Sequence, residues 1–324
     1  MTDSVFVTYP IPDPGLPLLR EHFEVRVFGA ERAPTADEVV DNAGGCSGIV
    51  TLVRDRVDGA LMDRLPGLKA VANYGVGYDN IDIPAATERG ILVTNTPGVL
   101  TDATADLTWA LMLAAARRVG EGERMMRAGE FHGWDPRMLL GGDVWGKTLG
   151  IVGFGRIGHA VARRARGFDM RVLFYDVVPQ AVPDDITAEP VELERLLEES
   201  DFITLHVALT EQTRHLVDEA ALRRMKPTAY LVNTSRGPVI DEAMLVRALR
   251  EGWIAGAGLD VYEHEPQLAP GLAEVPNVVV LPHLGSATFG SRSGMAELAA
   301  RNMIAALGGE RPPTLVNADA WRGA

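Results

Sequence analysis

The sequence has almost no cysteine, no basic excess and no long apolar run. Its single thiol, Cys46, permits no internal disulfide and no cysteine-based zinc site, a usage expected of a reducing cytoplasm. Acidic side chains outnumber basic ones by 44 to 31, for a formal net charge of −13. Binding through nucleic-acid phosphates or docking on anionic lipid needs the opposite sign, so neither partner is expected and the charge reads as solubility. No stretch approaches the roughly 18 uninterrupted apolar residues of a membrane span. Residues 1–10, "MTDSVFVTYP", enter a strand-like run without a basic leader, so export is not expected either. No two histidines stand four apart beside a metal-suited carboxylate, and no metal is expected.

What the sequence does have is alternation. At 324 residues it is long enough for two domains, each with its own core. Over the first hundred residues, β-rich runs ("SVFVTYP", "EVRVF", "SGIVTLV", "KAVANYG", "ILVTNTP") are separated by helical patterns such as "LPLLREHF", "TADEVVDNAG" and "GALMDRLPG". That rhythm predicts a parallel sheet covered by helices on both faces. "TDATADLTWALMLAAARRV", from Thr101 to Val119, reads as a long helix capped by Thr101 or Asp102. "GEGERMMRAGEFHGWDPRMLLGGD" reads as a looser excursion that packs on a second subunit. A second alternating series runs from Lys147 to His283, and a last helix from about Ala287 to Leu307. The fold class expected is α/β: two Rossmann-like or flavodoxin-like doubly wound parallel-sheet domains with a cleft between them.

The most specific local signal is "TLGIVGFGRIGHAVARRARGFDMRVLFYD". Gly153, Gly155 and Gly158 fit G-x-G-x-x-G, which alone is weak. Here a strand precedes it, a helix opens inside it at Arg156 and Ile157, and a second strand ends at Asp176, 18 residues past Gly158. Together these make the dinucleotide-binding fingerprint. Gly153 permits the tight turn, Gly155 lets the backbone approach a pyrophosphate, and Gly158 lets helix and strand pack closely at a helix start that favours anions. Asp176 would accept hydrogen bonds from ribose hydroxyls. It would also repel a 2′-phosphate, and Val177-Val178-Pro179 offers no arginine to receive one, so NAD(H) is expected over NADP(H).

Three further residues leave successive strands at what would be one sheet edge: Arg236 in "LVNTSRGPVIDE", Glu265 in "GLDVYEHEP" and His283 in "NVVVLPHLGSAT". In open parallel sheets ligands bind beyond the carboxyl ends of strands. An imidazole at such an exit is more often structural than catalytic, but a guanidinium and a carboxylate at the same edge change that weighting. His206 ends a strand at this edge without a placed acid and reads as lying beside the cofactor. His22, His132, His159 and His215 read as surface residues.

The motifs "NYGVGYDNID", "NTPGVLTDATAD", "GFGRIG", "NTSRGPVIDE", "AGLDVYEHEP" and "LPHLGSAT" resemble, in order and spacing, those of the D-isomer-specific 2-hydroxyacid dehydrogenases, particularly the glyoxylate/hydroxypyruvate reductase branch. The resemblance covers nearly the whole chain. It implies that Arg236 holds a substrate carboxylate and polarises the carbonyl, and that His283 is the general acid in reduction with Glu265 as its partner. It implies a second carboxylate clamp from the backbone N–H groups of Val76 and Gly77. Asp260 would anchor the nicotinamide amide, with Ala208, Thr234 and Gly285 in cofactor-contacting loops and Val53 and Trp134 bordering the substrate pocket. His264 is set aside, because in the family pattern the acid directly before the proline carries the role. Ala208 departs from the proline that many relatives carry, which would loosen the loop over the adenine side.

The expected domains are 1–99 plus 286–324 for substrate and 100–285 for NAD, with a dimerisation arm near 119–146. The expected reaction is cytoplasmic NADH-dependent reduction of glyoxylate or hydroxypyruvate by a homodimer. Rival readings are a D-3-phosphoglycerate dehydrogenase, for whose regulatory domain the chain has no room, and a phosphite dehydrogenase, which would carry Lys where Val76 stands. The third is an NAD(H)-binding corepressor on the same scaffold, which would keep the trio but show no turnover.

Overall fold

Short β-branched runs pair into two separate parallel sheets, and a computed structural model describes this arrangement for residues 3–323. Two units emerge. The first takes in the described residues up to Leu100 and from Ala287 onward, and the second runs Thr101–Ser286.

The first unit begins with β1 (Ser4–Val7), α1 (Gly15–His22), β2 (Glu24–Val27), α2 (Ala36–Ala43) and β3 (Gly48–Leu52). It continues with α3 (Gly59–Asp63), β4 (Ala70–Tyr74), α4 (Ile83–Glu88) and β5 (Leu92–Thr94). The strand order is β2-β1-β3-β4-β5, every pair parallel, which is the flavodoxin-like winding. Val5, Phe6, Ile49 and Val71 are completely buried because helices cover both faces of the central strands. The helices start where the sequence supplies caps: Asp58 and Asp82 accept backbone N–H groups, and Thr35 forms a capping box with Glu38.

The second unit opens with α5 (Thr101–Ala116) and α6 (Val119–Ala128), followed by β6 (Thr148–Val152), α7 (Arg156–Ala165), β7 (Arg171–Tyr175) and β8 (Glu189–Pro190). Next come α8 (Leu193–Glu199), β9 (Phe202–Leu205), α9 (Glu219–Arg224), β10 (Tyr230–Asn233), α10 (Glu242–Glu251), β11 (Gly256–Leu259) and β12 (Val278–Val280). The parallel sheet has the order β12-β11-β10-β9-β6-β7-β8. Read from β8, this is the 3-2-1-4-5-6 Rossmann order extended by one strand, with the topological switch between β6 and β9. The chain then returns to the first unit as α11 (Phe289–Leu307), capped by Thr288 and packed on α1 and β4. The approach is close: a Cβ on Gly15 would lie 2.8 Å from the Ala296 Cβ, and one on Gly48 2.3 Å from the Met303 sulfur.

The structure departs from the sequence reading at three elements. α5, expected from a cap at Thr101 or Asp102 through to Val119, already holds both residues in its first turn and ends at Ala116, with Val119 opening the next helix. Residues 119–128, read as part of a loose excursion, form α6, which buries none of its residues. Arg118, in the left-handed region at φ 52°, breaks it from α5 and pairs with Glu121; Arg127 pairs with Glu123, and Gly129 closes the end at φ 71°. Local pairing and a left-handed cap hold a helix whose two glycines hide it from propensity. The third element is the two-residue strand β8, which is too short to show a period in the sequence.

Candidate active site

β6 runs directly into Gly153, whose φ of +93° and tight surroundings both exclude a side chain: a Cβ there would lie 2.7 Å from the His206 carbonyl carbon. Gly158 packs against the same turn, its hypothetical Cβ 2.3 Å from the Gly153 oxygen. Gly155, the residue before α7, differs from both. At φ −82° it is unstrained, and a Cβ there would meet nothing within 4 Å. Its open face at a helix start is where a pyrophosphate would approach. Arg156 and Ile157 form the first turn of α7. Asp176, just beyond β7, accepts the N–H of Phe154 at 2.7 Å and that of Val178 at 3.0 Å, which holds its carboxylate against the glycine turn. A strand, a turn open at one glycine and a carboxylate fixed beside it suit a dinucleotide.

At the same edge, His283 and Glu265 are brought together, with Nδ1 2.9 Å from Oε2. Burial alone would raise the Glu265 carboxyl. The hydrogen bond and charge of His283, the Tyr262 N–H and the charge of Arg236 outweigh it, and the net displacement is downward. With Nδ1 engaged, Nε2 is the nitrogen left for a substrate. His283 itself sits at φ 56°. Its conformation is held by its N–H donating to the Asp260 carbonyl at 2.9 Å. The fully buried Asp260 carboxylate also accepts the N–H groups of Leu284 (2.6 Å) and Gly285 (2.7 Å). Burial pushes Asp260 up, against the pull of those N–H groups and of His283. It thus braces the loop that delivers the imidazole.

Arg236 leaves β10 through a turn tied by Asn233, a completely buried amide that sequence reading passed over. The Asn233 side chain donates to the Arg236 carbonyl at 2.8 Å and accepts from the Ser235 N–H and hydroxyl at 2.9 and 2.8 Å. The loop positions Thr234 and Gly285 are linked through α5. Thr108 contacts the Thr234 hydroxyl at 2.9 Å, and Thr104 donates to the Gly285 carbonyl at 3.0 Å. The Ala208 carbonyl accepts from the Thr213 hydroxyl at 2.7 Å. Polar residues inside apolar segments were the available signal for Asn233, Thr104 and Thr108.

In the first unit, the turn after β4 has its carbonyls pinned in succession. Gly75 O accepts from Thr96 N at 2.9 Å, Val76 O from Asn95 at 2.7 Å and Gly77 O from Asn73 at 2.7 Å. The N–H groups of Val76 and Gly77 have no acceptor among the described residues, an arrangement suited to an anion. Val53 closes on this turn, its Cγ1 2.4 Å from a hypothetical Gly75 Cβ. Trp134 is 81% exposed, in the segment after α6.

Two histidines correct the sequence reading. His215 is not a bystander on the surface but contacts Glu263, Nε2 to Oε1, at 2.6 Å. His159 lies edge-on to Phe154 with Nε2 buried. His206 lies behind Gly153. Both its ring nitrogens are sealed and unpartnered among the described residues, and burial pushes its imidazole down to about 3. It is therefore neutral and no proton donor. Among the described residues no group of three or more His, Cys, Asp or Glu side chains could hold a metal ion. No helix there is long and apolar enough to cross a membrane.

A Rossmann sheet with an open glycine turn, and a paired imidazole and carboxylate beside an arginine at its ligand edge, define an oxidoreductase that uses a nicotinamide dinucleotide. Comparison with known proteins refines the class. The family profile "D-isomer specific 2-hydroxyacid dehydrogenase, NAD binding domain" matches residues 109–285. A glyoxylate reductase of Thermococcus kodakarensis is 54% identical over 323 residues, covering 98% of this chain and 97% of that protein. A crystal structure of a Thermus thermophilus protein, 47% identical, superposes with a TM-score of 0.91 over 97% of this chain and 99% of that one. An NADPH-dependent glyoxylate/hydroxypyruvate reductase of Sinorhizobium meliloti, solved with NADP and malonate, is 35% identical with a TM-score of 0.90, covering 100% of this chain and 99% of that one. The chain belongs to the D-isomer-specific 2-hydroxyacid dehydrogenases.

Proposed function

We propose that the protein reduces a short 2-oxo acid, glyoxylate or hydroxypyruvate, to the corresponding D-2-hydroxy acid, with NADH as reductant. The contact between His283 Nδ1 and Glu265 at 2.9 Å, beside Arg236, is the observation that carries this reading. When bound, the nicotinamide supplies the hydride. His283 gives the proton on Nε2 to the oxygen at C2, so that the carbonyl becomes a hydroxyl without a free alkoxide. Glu265 stabilises the protonated imidazole and fixes its orientation. Arg236 holds the substrate carboxylate with its planar fork, and the Val76 and Gly77 N–H groups offer that carboxylate a second set of donors. Val53 and Trp134 would border the side-chain pocket. Asp260 would meet the nicotinamide amide with the lone pairs its loop leaves over, and Ala208, Thr234 and Gly285 would line the cofactor. Asp176 favours NADH, since a 2′-phosphate beside its carboxylate would be repelled, although the Sinorhizobium relative is NADPH-dependent.

A homodimer fits the same reading. The segment 119–146 exposes Trp134 and Trp145, 81% and 69% accessible, together with Met126 and Leu140, more apolar surface than an arm in water should carry. Residues 1–99 with 286–324 are assigned to substrate and 100–285 to the dinucleotide. The lone, buried Cys46 suits a reducing cytoplasm, where we place the enzyme.

The test is NADH and NADPH oxidation with glyoxylate, hydroxypyruvate, pyruvate and phenylpyruvate. His283→Ala and Arg236→Ala should each lower kcat/KM by about a hundredfold or more with NADH affinity retained. Absence of turnover with every acid would favour the corepressor reading, and near-normal rates in either variant would remove the role given to that residue.

A further inference from the structure

We propose that His215, with Glu263 and Glu242, forms a positioning cluster that sets the Arg236 loop against the Glu265 loop and thereby aims the His283 imidazole. The inference rests on the reductase reading above. None of the three residues is assigned to substrate or cofactor; they act through the residues that are.

His215 lies in the connection between β9 and α9, held at φ 51°, a conformation that a residue with a β-carbon rarely adopts without cause. Its two ends reach two different loops. Its backbone N–H donates to the Pro238 carbonyl at 2.8 Å, two residues beyond Arg236. The pairing continues with Val217 N–H to Val239 O and Asp241 N–H to Val217 O, both at 3.0 Å, so residues 215–217 run alongside the Arg236 turn. Its ring reaches the other way, to Glu263, two residues before Glu265.

Glu263 in turn ties back to the first loop. Its Oε2 accepts the Glu242 N–H at 3.4 Å, and its own N–H donates to Glu242 Oε2 at 3.2 Å. Glu242 opens α10, the helix that follows the Arg236 turn, and is only 4% exposed. Two carboxylates therefore meet across the junction, and His215 contacts the Glu263 one. Burial works to raise both. At Glu263 the hydrogen bond and charge of His215 reverse that effect, while Glu242 stays displaced upward. His264, beside Glu263, adds a smaller charge effect in the same downward sense on both.

The junction has no slack. A Cβ on Gly237 would lie 1.8 Å from the Tyr262 carbonyl carbon, so the two loops touch backbone to backbone. Tyr262 then donates its N–H to Glu265 Oε1 at 3.1 Å, while Oε2 of the same carboxylate holds His283. A shift of Glu263 is thus passed within three residues to the group that orients the proton donor. Small misplacements of that kind lower the chemical step more than they lower binding.

The test separates the ring contact from the backbone conformation. Asn tolerates the left-handed region but is too short to reach Glu263, whereas Gln keeps an N–H donor at comparable reach. With NADH and glyoxylate, His215→Asn should lower kcat about tenfold and raise the primary isotope effect from NADH deuterated at the transferred position. NADH affinity and Tm should stay near wild type, and His215→Gln should recover most of kcat. Glu263→Gln, which keeps the backbone contacts, should reproduce part of the loss and serves if His215→Asn folds poorly. Independently of turnover, the His283 ring ¹H–¹⁵N signals should move in His215→Asn and return in His215→Gln. Wild-type kcat and unmoved His283 signals in both His215→Asn and Glu263→Gln would overturn the proposal, as would equal losses in His215→Asn and His215→Gln. A wild-type protein that reduces no 2-oxo acid, yet shows the His283 signal shifts, would overturn the reductase reading and leave the cluster standing.

Discussion

Replacing Gly155 by alanine should separate folding from cofactor binding. At φ −82° and ψ −158° the backbone already suits any L-residue, and an added Cβ meets no atom within 4 Å. Freezing out glycine's extra freedom in the unfolded chain is worth about 0.4–1 kcal/mol to the variant. Alanine is a poorer N-cap than glycine, which costs about 0.5–1 kcal/mol in return. Stability should therefore stay within about 0.5 kcal/mol of wild type. On the proposed reading, however, the new methyl stands on the face that a pyrophosphate would approach, and displacing the ligand would weaken the charge-assisted hydrogen bonds expected there. About 1.5–3 kcal/mol is at stake, a loss of ten- to a hundredfold in NADH affinity. Gly158→Ala is the contrast. Its Cβ would be 2.3 Å from the Gly153 oxygen, so the overpacking should exceed the gain in helix propensity and cost about 1–3 kcal/mol. Denaturant titration and NADH fluorescence titration of the two variants decide the matter. A Gly155→Ala protein that binds NADH as tightly as wild type would refute the claim that this glycine faces the phosphates.

Two further outcomes follow from buried or fixed titratable groups. Burial pushes His206 down to about 3, so between about pH 6.5 and 3 the unfolded chain binds a proton that the folded one refuses, and stability falls as pH falls. Relative to His206→Leu, wild type should lose about 2 kcal/mol between pH 7 and pH 5 in denaturant midpoints; parallel losses in the two proteins would count against a sealed, neutral imidazole. Asp176→Asn keeps an oxygen for the Phe154 N–H while removing the charge. The ratio of kcat/KM for NADPH over NADH should rise about tenfold or more, and an unchanged ratio would show that the carboxylate does not choose the cofactor.

The parallel sheets were legible because central strands buried on both faces read as unbroken apolar runs, and "IVGFGRIG" carries its turn geometry in its glycines. α6 was not legible. Its stability comes from Arg118–Glu121 and Arg127–Glu123 pairs and a left-handed cap, while Gly120 and Gly122 argue locally against a helix. The exit residues Arg236, Glu265 and His283 could be named from their strands, but the groups that aim them could not. Asn233, Asn73 and Asn95 act by tying carbonyls and N–H groups of turns, and their partners are fixed only once the backbone closes. His215 was misjudged for the same reason: Glu263 lies 48 residues away along the chain, and nothing local to His215 announces it. Asp260 likewise accepts the N–H groups of Leu284 and Gly285, 24 and 25 residues further along the chain, pairings that no local pattern announces.

The return of α11 to the first unit fixes an order of events during synthesis. The surface around Gly15 and Gly48 that receives this helix leaves the ribosome early, yet its partner is encoded after all 186 residues of Thr101–Ser286. At about 5–20 residues per second the nascent N-terminal sheet waits roughly 10–40 s with that seat open. The dinucleotide half has its whole sequence in one stretch and is free to fold within that interval. A mutation at Gly15 or Gly48 would therefore be felt late, at the closing step, after the half that binds the cofactor is already complete.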